Sequence, residues 1–464
     1  MTDVTKPAAT VAAAPGATGA VAAGAVGVRF EDLPGEVVTV AKQCVLDALG
    51  VAVAGAGEPA VTIVRDAVCG DAPAGPSVLV GVGGTARPVD AAMVNGTSAH
   101  ALDYDDVSAV MGGHPSAPVL PAVLALAEQL GASGRALLAA FVAGFEVECR
   151  VGEAVGPDHY ERGFHTTATV GTFGAAAGCS RLLGTGPARA EAALGIAATQ
   201  AAGLKSMFGT MCKPLQVGKA AANGLLAAEL TARGFTSAAD GLACPQGFAA
   251  TQTNAFDPEP THASFGSPWH ILDVLFKVHA SCYLTHACIE AALTLRDEIG
   301  DPAEVERIVL TVSPGHLTVC NIARPRTGLE GKFSLRLTTA LALATGATGE
   351  SEFTDEKVTD PRLAALCART EVVVDESMPR YAGAVTLFTR DGRTLRAEAD
   401  SGSPAWADHP SEQAPRLIEK FDALAAPVVG GERAALLADA VAHLEDVTDV
   451  RSLAALTVPA ERTA

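Results

Sequence analysis

Between residues 34 and 54 the apolar side chains Val37, Ala41, Cys44, Val45, Ala48, Leu49 and Val51 return every three or four positions, the period of one helix face. The same period predicts helices over 118–130, 133–155, 166–183, 187–201 and 214–233. Ser133 suits an N-cap, because its hydroxyl can accept a free amide of the first turn. Proline in the first turn of three others sacrifices no hydrogen bond. The chain up to about residue 272 therefore reads as mostly helical.

The texture changes after Lys277. Apolar runs rich in β-branched residues predict strands over 305–312, 372–374, 384–389 and 394–399, with Arg390-Asp391-Gly392 as the hairpin turn between the last two. Helices over 283–299 and 333–344 lie among them, and the helical period returns at 412–424 and 432–444. The expected fold is mainly α with an α+β lid. A large all-helical domain is made from 30–272 and 405–464, and a smaller α+β domain, 273–404, is inserted before the C-terminal helices. Ordered structure is expected to begin near Phe30. Residues 1–29 read as a disordered Ala-rich extension: 7–28 carry no charge, as in a signal peptide, but Asp3 precedes them and Pro15 interrupts them. No other segment reads as long and apolar enough to span a bilayer, and no solenoid-length repeat is visible.

With 464 residues, two or three domains are the natural expectation. Aromatics make up only 5%, and much of the 49% hydrophobic content is alanine, which favours closely packed helices. The net charge of −19 argues against a nucleic-acid surface, which needs clustered Lys and Arg. An anionic small molecule remains possible, provided the few cations are concentrated at its site. Ten cysteines without a CxxC pair imply neither a disulfide scaffold nor a thiolate metal site. They read as buried thiols of a cytoplasmic protein.

Several local patterns imitate known sites. Gly81-Val82-Gly83-Gly84-Thr85-Ala86 resembles a dinucleotide loop, but Pro88 follows too closely, and a turn between two strands is the better reading. Asp103-Tyr104-Asp105-Asp106 has the form of a carbocation-generating acid or a metal cluster; the scarcity of aromatics speaks against the first. His279 and His286 lie seven apart, whereas helical metal ligands sit three or four apart, so no metal site is expected. No GxSxG nucleophile elbow occurs.

Three basic residues share one local arrangement. His114 (Gly112-Gly113-His114-Pro115-Ser116), His165 (Arg162-Gly163-Phe164-His165-Thr166) and Lys213 (Thr210-Met211-Cys212-Lys213-Pro214) each stand at the threshold of a predicted helix. Free amides and the positive end of the helix dipole favour a bound carboxylate or a developing enolate there. The same field disfavours a protonated His or Lys and moves it toward general-base duty.

Around these residues the chain resembles the MmgE/PrpD family. The resemblance lies in Asn95-Gly96-Thr97-Ser98-Ala99-His100-Ala101-Leu102-Asp103-Tyr104-Asp105-Asp106 with His114-Pro115-Ser116, and in the run from Phe208 to Ala221 around Lys213-Pro214-Leu215-Gln216. Phe276-Lys277 with Cys282 and Thr285-His286, and Lys332-Phe333-Ser334, continue it in order. The resemblance implies a helical domain with an α+β lid, usually a homodimer, no metal or organic cofactor, and an active site in the cleft between the domains. Carried over by position, Asp103, His114, His165, Lys213 and Lys277 are the expected catalytic residues. Tyr104, Ser116, Gln216, Cys282 and Tyr283, inside or beside the same motifs, are the expected substrate contacts.

The family's dehydratases, decarboxylases and epimerases share a carbanion next to a carboxylate. The expected activity is thus a cofactor-independent lyase of dehydratase type acting on a small carboxylate or carbonyl compound. An epimerase or a cyclase of secondary metabolism is the alternative within enzymes, and a non-catalytic scaffold the alternative outside them. The chain departs from the family in places. Val107 and Ser108 stand where decarboxylase-like members show Thr, Gln216 replaces a His, and Val278-His279-Ala280 follow Lys277. These changes point to a substrate less charged than a tricarboxylate.

Overall fold

The computed structural model describes residues 16–70, 74–402 and 410–460. Counting helices of eight residues or more, the first part of the chain contributes α1 (Ala17–Gly27), α2 (Gly35–Gly55), α3 (Pro59–Cys69), α4 (Pro88–Ala101), α5 (Ser116–Leu130), α6 (Gly134–Glu161), α7 (Thr166–Leu182), α8 (Pro187–Gln200) and α9 (Cys212–Ala232). The lid contributes α10 (His286–Ile299), α11 (Leu335–Thr345) and α12 (Pro361–Ala368), and the chain closes with α13 (Ala414–Val429) and α14 (Gly431–Ala442).

α1 corrects the expectation of disorder before Phe30. Ala17, Val21, Ala22 and Ala25 are buried, and both the amide and the hydroxyl of Thr18 donate to Asp240 Oδ1, at 2.9 and 2.8 Å. Its small residues are what hid it. A helix that packs through alanine and glycine shows no polar stripe, and a Cβ on Gly24 would collide with the Phe265 ring. Residues 1–15, the rest of the expected extension, lie outside the described residues. α2 corrects a second reading. Its 21 residues are long and apolar enough to cross a membrane, yet its apolar residues lie inside the core.

The helical core runs from α1 to Phe276 and takes in Leu417, Phe421 and Ala425 of α13 and Leu437 of α14. Glycine lets its central helices meet closely: Gly96 of α4 faces Gly218 of α9, and Gly144 of α6 faces Gly174 of α7. The glycine loop at 81–84 joins two short antiparallel strands, β1 (Ser77–Val78) and β2 (Thr85–Ala86). It is a turn.

The lid holds a four-stranded sheet in the order β6-β5-β7-β8, formed by β5 (Val305–Val312), β6 (Thr370–Val374), β7 (Ala382–Thr389) and β8 (Thr394–Asp400). β5 and β6 are parallel, and the other pairs are antiparallel. Val305, Ile308, Leu310 and Val312 turn inward and form a second core with α10 and α11. One small ladder lies where the helical part hands over to the lid. β3 (Val107–Ser108) pairs antiparallel with β4 (Val274–Leu275), Val107 opposite Leu275. That register carries Lys277, two residues beyond β4, to the turn that follows α4.

Candidate active site

α4 ends at Ala101, and Asp103 takes a φ of 51°, a left-handed conformation that Asp adopts more readily than most residues. Three lysines from distant segments fix the turn. Lys332 Nζ donates to the carbonyl of Leu102 (2.5 Å), Lys277 Nζ to that of Asp103 (2.6 Å) and Lys420 Nζ to that of Tyr104 (2.7 Å). Each also meets a carboxylate: Glu350 at 2.6 Å, Asp103 itself at 3.2 Å and Asp47 at 2.7 Å, respectively. Three successive carbonyls from the C-cap of α4 onward are thereby bonded.

Lys213, the second residue of α9, reaches the same turn. Its Nζ lies 2.5 Å from Asp103 Oδ1 and 2.7 Å from His100 Nε2. His100 Nδ1 in turn lies 2.7 Å from Asp105 Oδ2. A carboxylate on one ring nitrogen and a lysine donor on the other assign the proton of His100 to Nδ1. Lys213 has three N–H donors, so two are engaged within the protein and one remains. Burial pushes the Asp103 carboxyl up, but Lys213 and Lys277, then His114 and His100, outweigh it and hold it well below the usual carboxylate range.

His165 is the N-cap residue of α7, and His114 immediately precedes the N-cap of α5, so three helix N-termini converge here. His165 Nδ1 lies 2.8 Å from Gln216 Oε1, an atom that only accepts, so this nitrogen carries the proton. His165 Nε2 is buried without a partner, on a side chain that lines the cavity described below. His114 Nδ1 donates to the carbonyl of Asp106 at 2.9 Å, which leaves its Nε2, 3.9 Å from Asp103 Oδ1, as an acceptor. Burial first, and nearby cationic groups second, hold His100 and His165 well below the ordinary imidazole value. His114 is likewise lowered by burial, although Asp105 opposes the shift. All three rings are neutral near pH 7.

Asp103, His114, His165 and Lys213 line one narrow cavity of ≈ 60 Å³, together with Cys282 and Tyr283 from the lid. The other expected residues do not line it. Lys277 is fully buried behind Asp103 and acts through it. Gln216 touches His165 and not the cavity. Tyr104 turns away, its hydroxyl on the carbonyl of Val278 and its ring 4.0 Å from Lys420 Nζ. Ser116 is buried at the start of α5, where its amide and hydroxyl both donate to Asp106, at 3.1 and 2.5 Å. Tyr104 and Ser116 therefore brace the site, contrary to the reading of them as substrate contacts.

His100 was missed as a functional residue although it lies inside the quoted motif. It sits in the last turn of a helix, where nothing marks it apart from a packing residue. An apolar wall of Val107, Phe208, Leu284, Val319 and Phe333 and a rim of Tyr160, Arg380 and Tyr381 complete the cavity; Val319 and the rim were also missed. These eight residues come from seven separate segments, and only tertiary contact unites them. A larger void of ≈ 520 Å³ belongs to the lid alone; on its wall Lys357 pairs with Glu352 and Arg362 with Asp360.

His100, Asp105 and His114 present donor atoms within 4.8 Å of one another, a spacing that suits a divalent ion. The hydrogen bonds assign both Nδ1 atoms to protons, and the Lys213 nitrogen occupies the remaining face of His100. The set fits a proton network better than a cation. His279 and His286 do come together, with ring centroids 4.8 Å apart. However, both His279 nitrogens are engaged by Thr348 and Glu290, and His286 Nε2 bonds the carbonyl of His279.

Comparison with known proteins adds two kinds of likeness. Residues 19–261 match the MmgE/PrpD N-terminal domain, and residues 279–446 match the MmgE/PrpD C-terminal domain. The chain is 29% identical to a cis-aconitate decarboxylase of Aspergillus terreus over 97% of both proteins. It is 30% identical to the human cis-aconitate decarboxylase over 80% of this chain and 79% of the relative. A cis-aconitate decarboxylase-like protein of Aspergillus oryzae is 29% identical over 92% and 94%.

Proposed function

The chain belongs to the MmgE/PrpD family and is a lyase of that family, and from this premise we propose that its reaction passes through a carbanion next to a carboxylate, with His165 as the base. The observation that carries the reading is the His165 lone pair. A neutral, buried imidazole with Nδ1–H held by Gln216 and Nε2 unpartnered is arranged to take a proton from carbon.

In the elimination of water from a hydroxy acid, His165 Nε2 removes the α-proton. The C–H electron pair moves into the carboxylate as an enolate, facing the remaining Lys213 N–H and three helix N-termini. The pair then forms the carbon–carbon double bond as the β C–O bond breaks, and Lys213 protonates the departing hydroxide. His114 Nε2 accepts the hydrogen bond of that hydroxyl beforehand and so orients it. Asp103, fixed by Lys277, positions Lys213. No metal or organic cofactor is required at any step.

Decarboxylation is the second reading, and the relatives' names favour it. There the carbanion forms by loss of carbon dioxide, and the remaining N–H of Lys213 delivers a proton to it. The apolar wall of Val107, Phe208, Leu284, Val319 and Phe333 supports a substrate with a hydrocarbon body and fewer charges than a tricarboxylate.

Incubation with a panel of hydroxy acids and unsaturated acids in heavy water, followed by mass spectrometry, separates these readings. Loss of water marks the hydro-lyase, loss of carbon dioxide the decarboxylase, and deuterium uptake without loss an epimerase. His165→Ala or Lys213→Ala should lower turnover by about 10² or more while circular dichroism stays unchanged. Near-native activity in either variant would remove that residue from the mechanism. Activity should also survive exhaustive chelation.

A further inference from the structure

We propose that Arg380 and Lys205 form an anion subsite at the cavity mouth that holds a second carboxylate of the substrate, distal to the reacting one. The inference rests on the carbanion reading above. An outer cavity of ≈ 250 Å³ continues from the inner one and shares Tyr160, Leu284, Val319 and Arg380 with it. Lys205 lies on the outer wall alone. Both cations gather at the Tyr160 ring: Lys205 Nζ is 3.8 Å from its centroid and Arg380 Cζ 5.4 Å.

Two like charges around one ring repel each other. Burial, and then Arg380, lower the Lys205 pKa. Neither cation forms an ion pair among the described residues. Glu161, an exposed residue on the same wall, attracts Lys205 from a distance. In a chain with 52 acidic and 33 basic residues, a pair of cations without a carboxylate partner, beside a reaction cavity, is arranged for an anion from outside. The planar fork of arginine suits a carboxylate, and the aromatic ring limits the motion of both side chains. Between this pair and Lys213 the wall is Leu284, Val319, Tyr160 and Phe333, which suits a hydrocarbon segment. The substrate class that follows is a diacid with an apolar middle.

Isothermal titration calorimetry with α,ω-dicarboxylates and matched monocarboxylates of increasing chain length tests this without reference to turnover. One dicarboxylate length should bind about 10-fold or more tightly than its monocarboxylate counterpart, as expected for a charge-assisted contact. Arg380→Ala with Lys205→Ala should abolish that preference and leave monocarboxylate affinity unchanged. Equal affinity for the two series, or a preference that persists in the double variant, would overturn the distal subsite alone. Failure of every mono- and dicarboxylate to bind would overturn the carbanion reading with it.

Discussion

His165 shows how much chemistry one neighbour can decide. Gln216 offers His165 Nδ1 an oxygen that only accepts, and this sets which nitrogen of the ring is basic. Gln216→Leu should lower kcat by about 10-fold by freeing the tautomer. Gln216→Glu places a carboxylate on the same nitrogen, which favours the protonated ring, so the acid limb of kcat/KM should move to higher pH. In the native protein that limb should lie below pH 6.5, because burial and Lys213 lower the His165 pKa. The sign for stability follows from the same shift. Below about pH 6.5 the unfolded chain binds a proton at residue 165 that the folded chain resists. The native protein should therefore lose stability relative to His165→Gln as the pH falls from 7.5 to 5.5. Urea unfolding of both proteins at the two pH values measures it, and parallel curves would contradict the assignment of a lowered pKa.

Among the elements, α4 and α9 matter most, since one ends beside Asp103 and the other begins beside Lys213. They touch through Gly96 and Gly218, and a Cβ at Gly218 would strike the Met93 carbonyl and the Thr97 hydroxyl. Gly218→Ala should cost about 1–3 kcal/mol in urea unfolding, the usual range for an overpacked core. It should also lower kcat by spreading Lys213 from Asp103; unchanged kcat would show that the helix contact and the site are uncoupled. The sequence announced helices such as α2, α5 and α6, whose apolar residues recur with the helical period, and it announced the β7–β8 hairpin through Arg390-Asp391-Gly392. It concealed α1 and α4. Nearly every face of α4 is buried, Asn95, Thr97, Ser98 and His100 included, so no polar stripe reveals a period. Within the site, residues at helix thresholds were legible because backbone rules mark them. Arg380 and Tyr160 were not, because only the packing of the α+β part against the helices brings them together.

For the molecule as a whole, the decisive contacts are those that join its two cores and its last helices at one turn. Lys420 on α13 bonds Asp47 on α2 and the carbonyl of Tyr104. Lys420→Met leaves Asp47 as an uncompensated buried acid and should cost about 3–5 kcal/mol. Adding Asp47→Leu should restore much of that stability but not the turnover, since the Tyr104 carbonyl still lacks its donor. If the double variant regains full activity, the lysine serves packing alone.

The three lysines that bond successive carbonyls after α4 also impose an order on biosynthesis. His114, His165 and Lys213 emerge from the ribosome first, but the turn that holds Asp103 waits for residues 277, 332 and 420. A nascent chain therefore carries the reactive side chains without the geometry that makes them reactive. Catalytic competence arrives only after residue 420 has emerged.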